Sequence, residues 1–149
     1  MSAALTLAGP DHIDSLLALV EKFHTEEGMQ STPEKRRAGL GPLLDGSPYG
    51  CVYLIGPPRS PIGYILITLT WSVQFGGLDG SVDELYIRPG VRGRGIASEA
   101  LVALPRALAG GGLRTIHLEV DKDNAAALKL YRRAGFVLNE NYLFMTKHL

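Results

Sequence analysis

The stretch Val82-Asp-Glu-Leu-Tyr-Ile-Arg-Pro-Gly-Val-Arg-Gly-Arg-Gly-Ile-Ala97 holds the densest chemistry in the chain. An apolar strand pattern over 82–88 runs into a loop of glycines and arginines that opens directly into a helix pattern. Glycines at 93 and 95 let backbone N–H groups approach a ligand with no Cβ in the way, and a helix start concentrates partial positive charge. Arg92 and Arg94 add full charges at the rim. Arg88, Arg92 and Arg94 are three of ten arginines, and no acid lies between Glu84 and Glu99. Together these features suit a strongly anionic group such as a pyrophosphate. The strand also carries two adjacent acids, Asp83 and Glu84, which alternation sends to opposite faces. Acids in an otherwise apolar strand are costly unless paired or used.

Two kinds of phosphate loop compete for this pattern. Gly93-x-Gly95, followed by Glu119, imitates a dinucleotide fingerprint. That fingerprint wants a third glycine or alanine where Ser98 stands, and a strand leading almost directly into the first glycine. Here Arg88-Pro-Gly-Val-Arg92 intervenes. By contrast, Arg92-Gly-Arg-Gly-Ile-Ala97 fits the pattern Gln/Arg-x-x-Gly-x-Gly/Ala and resembles the acetyl-CoA pyrophosphate loop of the GNAT superfamily of N-acetyltransferases. Asp83-Glu-Leu-Tyr-Ile-Arg-Pro89 resembles the strand leading to that loop. Leu118-Glu-Val120, Asn124, Ala127 and Leu130-Tyr-Arg-Arg-Ala-Gly-Phe136 resemble the strand and helix that follow it. The motifs cover about residues 82–138, and the first 80 match only in element order.

The resemblance implies acetyl-CoA as co-substrate, with Arg92, Gly93, Arg94, Gly95, Ile96 and Ala97 around its pyrophosphate. The backbone of Leu85 to Ile87 would pair with the pantetheine arm if the sheet splays after that strand, and the Ile87 N–H would polarise the thioester carbonyl. An unbroken ladder at Ile87 would remove that role. Asn124 resembles a contact to the cofactor arm, and a helix cap explains it equally well. Tyr131 resembles the family's general acid; a phenol of ordinary pKa about 10 holds a proton to donate at neutral pH.

The amine must also lose a proton, for which a carboxylate is the expected acceptor. Asp83 and Glu84 match an acidic pair of diamine acetyltransferases, and Glu119 matches a glutamate of ribosomal-protein acetyltransferases. The choice among the three stays open, with the 83–84 pair favoured. The implied activity is direct transfer of an acetyl group, in a ternary complex, to a primary amine of a small molecule. A protein or peptide acceptor, or a non-catalytic acyl-CoA-binding module, stays as an alternative. On the acceptor side, 23–28 and 71–75 are candidates, and a lone His24 reads as a surface or capping residue.

These residues need a scaffold. Strands are expected at 3–8, 51–55, 62–71, 82–88 and 115–120, with turns at Gly76-Gly77 and Asp79-Gly80. Helices are expected from Pro10 to about Gly28, from a Thr32 cap and Pro33 to about Leu44, over 95–109, and over 124–134 before Gly135. Pro105 should kink or shorten the third helix. Phe136–Leu138 and Tyr142–Lys147 read as a closing pair of strands. The order β-α-α-β-β-β-α-β-α-β-β implies an α/β (α+β) fold of GNAT type, a mixed, mostly antiparallel sheet flanked by helices. A single domain over 1–149 is expected.

Fifteen basic and fifteen acidic residues give a formal net charge of +0, which disfavours nucleic acid as partner. Cys51 is the only cysteine, so an internal disulfide and a Cys-ligated zinc are excluded, and no metal is expected. The N-terminus shows neither a basic leader nor a long apolar run, and no stretch approaches the ~20 residues that span a bilayer. A cytoplasmic protein is expected, without membrane contact, and a homodimer is allowed for.

Overall fold

Helices form where apolar residues recur every three to four positions. Leu16, Leu19, Val20 and Phe23 make the buried stripe of α1 (Ile13–Glu26), which a 3-10 turn at Pro10–His12 leads into. Thr32 caps α2 (Pro33–Leu44) by accepting the Lys35 N–H at 3.2 Å. The structure, a computed structural model, describes residues 4–149. They fall into two compact units, Met1–Glu119 and Val120–Leu149.

In the first unit, strands β1 (Leu5–Leu7), β2 (Gly50–Ile55), β3 (Gly63–Ser72), β4 (Gly77–Ile87) and β5 (Leu113–Leu118) form one sheet in chain order. All neighbours are antiparallel except β4 and β5, which are parallel. The period of two sorts the side chains. Val52, Leu54, Tyr64, Leu66 and Tyr86 pack with the α1 and α2 stripes on one face. Ile55 and Ile87 pack with Ile96 and Ala100 of α3 (Ile96–Ala109) in a second cluster. The second unit holds α4 (Ala125–Arg133). No helix of the described residues is long and apolar enough to cross a membrane.

Four expectations need correction. Asp79-Gly80 lies inside β4, not in a turn. A Cβ at Gly80 would come within 2.8 Å of Ile67 Cδ1 and 3.0 Å of Leu113 Cδ1, so glycine stands there for close packing. Pro105 does not shorten α3. The helix runs through it to Ala109, because Leu101 and Leu104 in the turn before it are 2% and 0% exposed. Two such burials, ~1.5–3 kcal/mol each, offset the ~3 kcal/mol of an interior proline. Residues 136–138 and 142–147 form no strand. Their β-prone residues have no strand to pair with inside the 120–149 unit, and Tyr142, Leu143 and Phe144 stay exposed. The element order is therefore β-α-α-β-β-β-α-β-α among the described residues. The expected first strand is also shorter at Leu5–Leu7; Ala3 lies outside the described residues.

Candidate active site

The strand-to-helix loop takes the conformation its glycines permit. β4 ends at Ile87, a 3-10 turn covers Pro89–Val91, and Gly93 and Gly95 adopt φ of 80° and 78°. A side chain at either would meet nothing within 4 Å, so the requirement is the left-handed backbone, not space. Gly95 is the N-cap of α3 and offers no side-chain cap. The first-turn N–H groups of Ile96, Ala97 and Ser98 are left to an outside acceptor. Arg94 is exposed beside them, with no hydrogen-bond or ion-pair partner among the described residues.

Arg92 faces elsewhere. Its two terminal nitrogens each donate to an oxygen of Glu26 at 2.7 Å. Its Nε donates to the Ile87 carbonyl at 2.7 Å, and the guanidinium lies 5.5 Å from the Tyr86 ring centre. The hydrogen bonds from Arg92 hold the Glu26 carboxyl below its ordinary value.

β4 loses its β5 neighbour partway along. Their pairing ends at Val82↔Leu118, while pairing with β3 continues to Gly63↔Ile87. The Arg88 N–H donates to the Ile62 carbonyl at 2.8 Å, so by alternation the Ile87 and Leu85 amides face the open side. No unbroken ladder takes up the Ile87 N–H. A bulge falls where Leu66 pairs with Glu84 and Ile67 with Val82, which makes Asp83 the extra residue. The bulge breaks plain alternation between the two acids.

Asp83 and Glu119 directly follow the last paired residues, so two acids stand where the strands part. Asp83 has no hydrogen-bond partner among the described residues. Desolvation by the surrounding protein, then the charges of Glu84 and Glu119, raise its carboxyl above the ordinary value, against an opposing contribution from His24. Glu84 is in a different situation. Its Oε1 accepts from the Tyr64 hydroxyl at 2.7 Å, and its Oε2 lies 2.7 Å from His24 Nε2. Burial and the Glu84 charge push the Tyr64 phenol far up, so it remains a proton donor.

Beside this group an open cleft of about 920 Å³ runs between Glu21, Thr25 and Glu26 of α1 and Tyr86, Pro89 and Val91. Of the expected acceptor segments, 23–28 borders this cleft through Thr25 and Glu26. Trp71 and Val73 stand exposed at the β3–β4 hairpin. In the second unit Asn124 caps α4, accepting the Ala127 N–H at 3.1 Å. Tyr131 packs edge-on against Phe136 at 6.2 Å.

An anion-ready helix start beside an open strand edge fits the expected cofactor arrangement, and the family comparison decides the matter: the model for the Acetyltransferase (GNAT) family matches residues 13–136. This chain belongs to the GNAT family. Among relatives, a mycothiol acetyltransferase of Streptomyces coelicolor is 44% identical over 64 residues, 43% of this chain. The chain spans only 21% of that relative's length by the same match. An integron cassette protein from the mobile metagenome of Cole Harbour salt marsh matches at TM-score 0.83 and 27% identity, covering 97% of this chain and 90% of that one. The structure of AAC(6')-Iy, in complex with the bisubstrate analogue CoA-S-monomethyl-acetylneamine, shares the fold at TM-score 0.82 and 15% identity, over 98% of each chain. The mixed, mostly antiparallel sheet is the GNAT fold class.

His24, Tyr64 and Glu26 are the site residues that sequence reasoning passed over or underrated. His24 carried no local signal, since its partner is 60 residues away.

Proposed function

We propose that this chain is an acetyl-CoA-dependent N-acetyltransferase that acts, as one catalytic domain, on a primary amine of a small cationic molecule. The observation that carries this reading is the parting of β4 and β5 beside the uncapped start of α3. It leaves a strand edge for an amide-bearing arm, N–H donors for a pyrophosphate and carboxylates for an amine. The residues present fit the co-substrate: Gly93 and Gly95 open the backbone, Arg94 supplies free positive charge, and Leu85 and Ile87 offer edge amides. Bound acetyl-CoA supplies the thioester whose acetyl group is transferred.

Asp83, unpaired and with raised proton affinity, is placed to take the ammonium proton, directly or through water. Glu84 and Glu119 supply fixed negative charge to hold the cation. The Ile87 N–H donates to the thioester oxygen as charge develops there. Tyr131 is the proton donor to the departing thiolate, a role resting on its place in the Leu-Tyr motif. A relative named for mycothiol and a neighbour bound to a CoA-acetylneamine analogue support a small-molecule acceptor. A half-buried lone cysteine suits a cytoplasmic setting.

The deciding experiment follows free thiol release across a panel of amines. Acetyl-CoA binding without thiol release from any amine would identify a non-catalytic module. Within the reading, Tyr131→Phe should keep acetyl-CoA affinity and lose ~10²–10⁴ in kcat; unchanged kcat removes Tyr131 from the mechanism.

A further inference from the structure

The contacts of Glu84 lead outward from the site through His24. Arg36 Nη1 donates to the Ser31 carbonyl at 2.8 Å and to its Oγ at 3.0 Å. The Glu84 carboxylate can only accept, which puts a ring proton of His24 on Nε2, aimed at Oε2 at 2.7 Å. Nδ1 is then left to take the Ser31 hydroxyl proton across 2.7 Å, while Ser31 Oγ accepts from Arg36. Tyr64 donates to the other oxygen at 2.7 Å. The His24 and Glu84 side chains are only 15% and 12% exposed. Every proton in the chain thus points toward one carboxylate, from α2 through the Ser31 loop and α1, and from β3. A carboxylate with one donor on each oxygen is held in one orientation.

The geometry points to His24 as a positioning residue for amine recognition, fixing Glu84 as an oriented negative charge beside the proton-accepting Asp83. This inference rests on the acetyltransferase reading and names the group that organises its acceptor side. The imidazole acts here as a donor from Nε2. The charged and titratable groups around it are Glu84 and Asp83 of β4, Tyr64 of β3 and Arg36 of α2, with Arg36 also 3.9 Å from Glu21. Removal of His24 leaves Oε2 without its donor and lets the carboxylate turn, which weakens its hold on the amine. None of His24, Ser31, Arg36 and Tyr64 is among the residues proposed to hold acetyl-CoA, so its affinity should not respond.

The test compares His24→Leu with His24→Gln, whose amide can donate to Glu84, and reads the His24 ring by nitrogen NMR in the wild type and in Glu84→Gln. His24→Leu should lose ~10–100-fold in kcat/KM for the amine, the worth of a hydrogen bond to a charged group. Its acetyl-CoA affinity should stay within about twofold, and His24→Gln should return to within about threefold of wild type. In the wild type the ring should carry a proton on Nε2, and Glu84→Gln should shift the Nε2 resonance. A merely packing role predicts Leu at least as active as Gln, and that outcome overturns the inference. So does a ring protonated on Nδ1 alone, or an Nε2 resonance indifferent to Glu84→Gln. Wild-type turnover with such a ring overturns this inference alone. Absence of turnover from any amine, with the Nε2–H ring intact, overturns the acetyltransferase reading and the role of His24 with it.

Discussion

Asp83 and Glu84 are neighbours in sequence with opposite fates. Glu84 has both oxygens occupied, whereas Asp83 keeps its lone pairs and is pushed toward protonation by its surroundings. A base of raised pKa accepts a proton more readily at neutral pH, at the cost of some stability while ionised. The sign follows from linkage. The folded-state pKa lies above the unfolded one, so ionised Asp83 disfavours the fold at neutral pH, and the penalty vanishes once pH falls below the ordinary carboxylate value of about 3.9. Asp83→Asn should therefore raise Tm at pH 7–8, with the gain fading toward pH 4. It should also lower kcat/KM for the amine by ~10²–10⁴. In the wild type, the acid limb of the kcat/KM profile should lie above pH 4, displaced in the direction of the Asp83 shift. A variant equally active and no more stable would return the base role to Glu119.

At the scale of elements, the junction from β4 through Gly95 to α3 carries the cofactor side. Gly95 is left-handed and uncapped, so substitution acts in two separable ways. Gly95→Ala should cost ~1–2 kcal/mol in urea unfolding, from backbone strain alone. Gly95→Glu carries a similar strain and also sets a negative charge against the helix start. It should weaken acetyl-CoA binding well beyond the alanine variant in titration calorimetry. Equal affinities in the two variants would remove the pyrophosphate from this loop. The loop was legible in the sequence because its determinants are local: glycines that permit positive φ and a helix beginning at once. The Arg92–Glu26 fork was not legible, because 66 residues separate its partners. Reading Arg92 as a rim charge at the helix start took no account of a carboxylate arriving from α1.

For the molecule as a whole, the core of the first unit and its site are continuous. Tyr64 is fully buried in the cluster that holds α1 and α2 on the sheet, and its hydroxyl ends on Glu84. Tyr64→Phe keeps the packing volume and strips one donor from a charged group. It should cost ~1.5–3 kcal/mol in urea unfolding and lower amine turnover in parallel; a neutral effect on both would separate core from site.

What the sequence by itself determined was whatever short-range chemistry decides. Helix caps at Thr32 and Asn124, the glycine loop, the alternating strands of the sheet and the motif order of a GNAT protein all rest on residues within a few positions of one another. Only the tertiary structure decided which strands found partners. The β-prone residues at 136–147 formed none, since a strand needs a ladder and not only propensity. It also decided where β4 and β5 part, which leaves Asp83 and Glu119 at the opening. Finally, it decided that His24 meets Glu84, because hydrogen bonds across 60 residues depend on how α1 packs on the sheet. No local pattern encodes that packing.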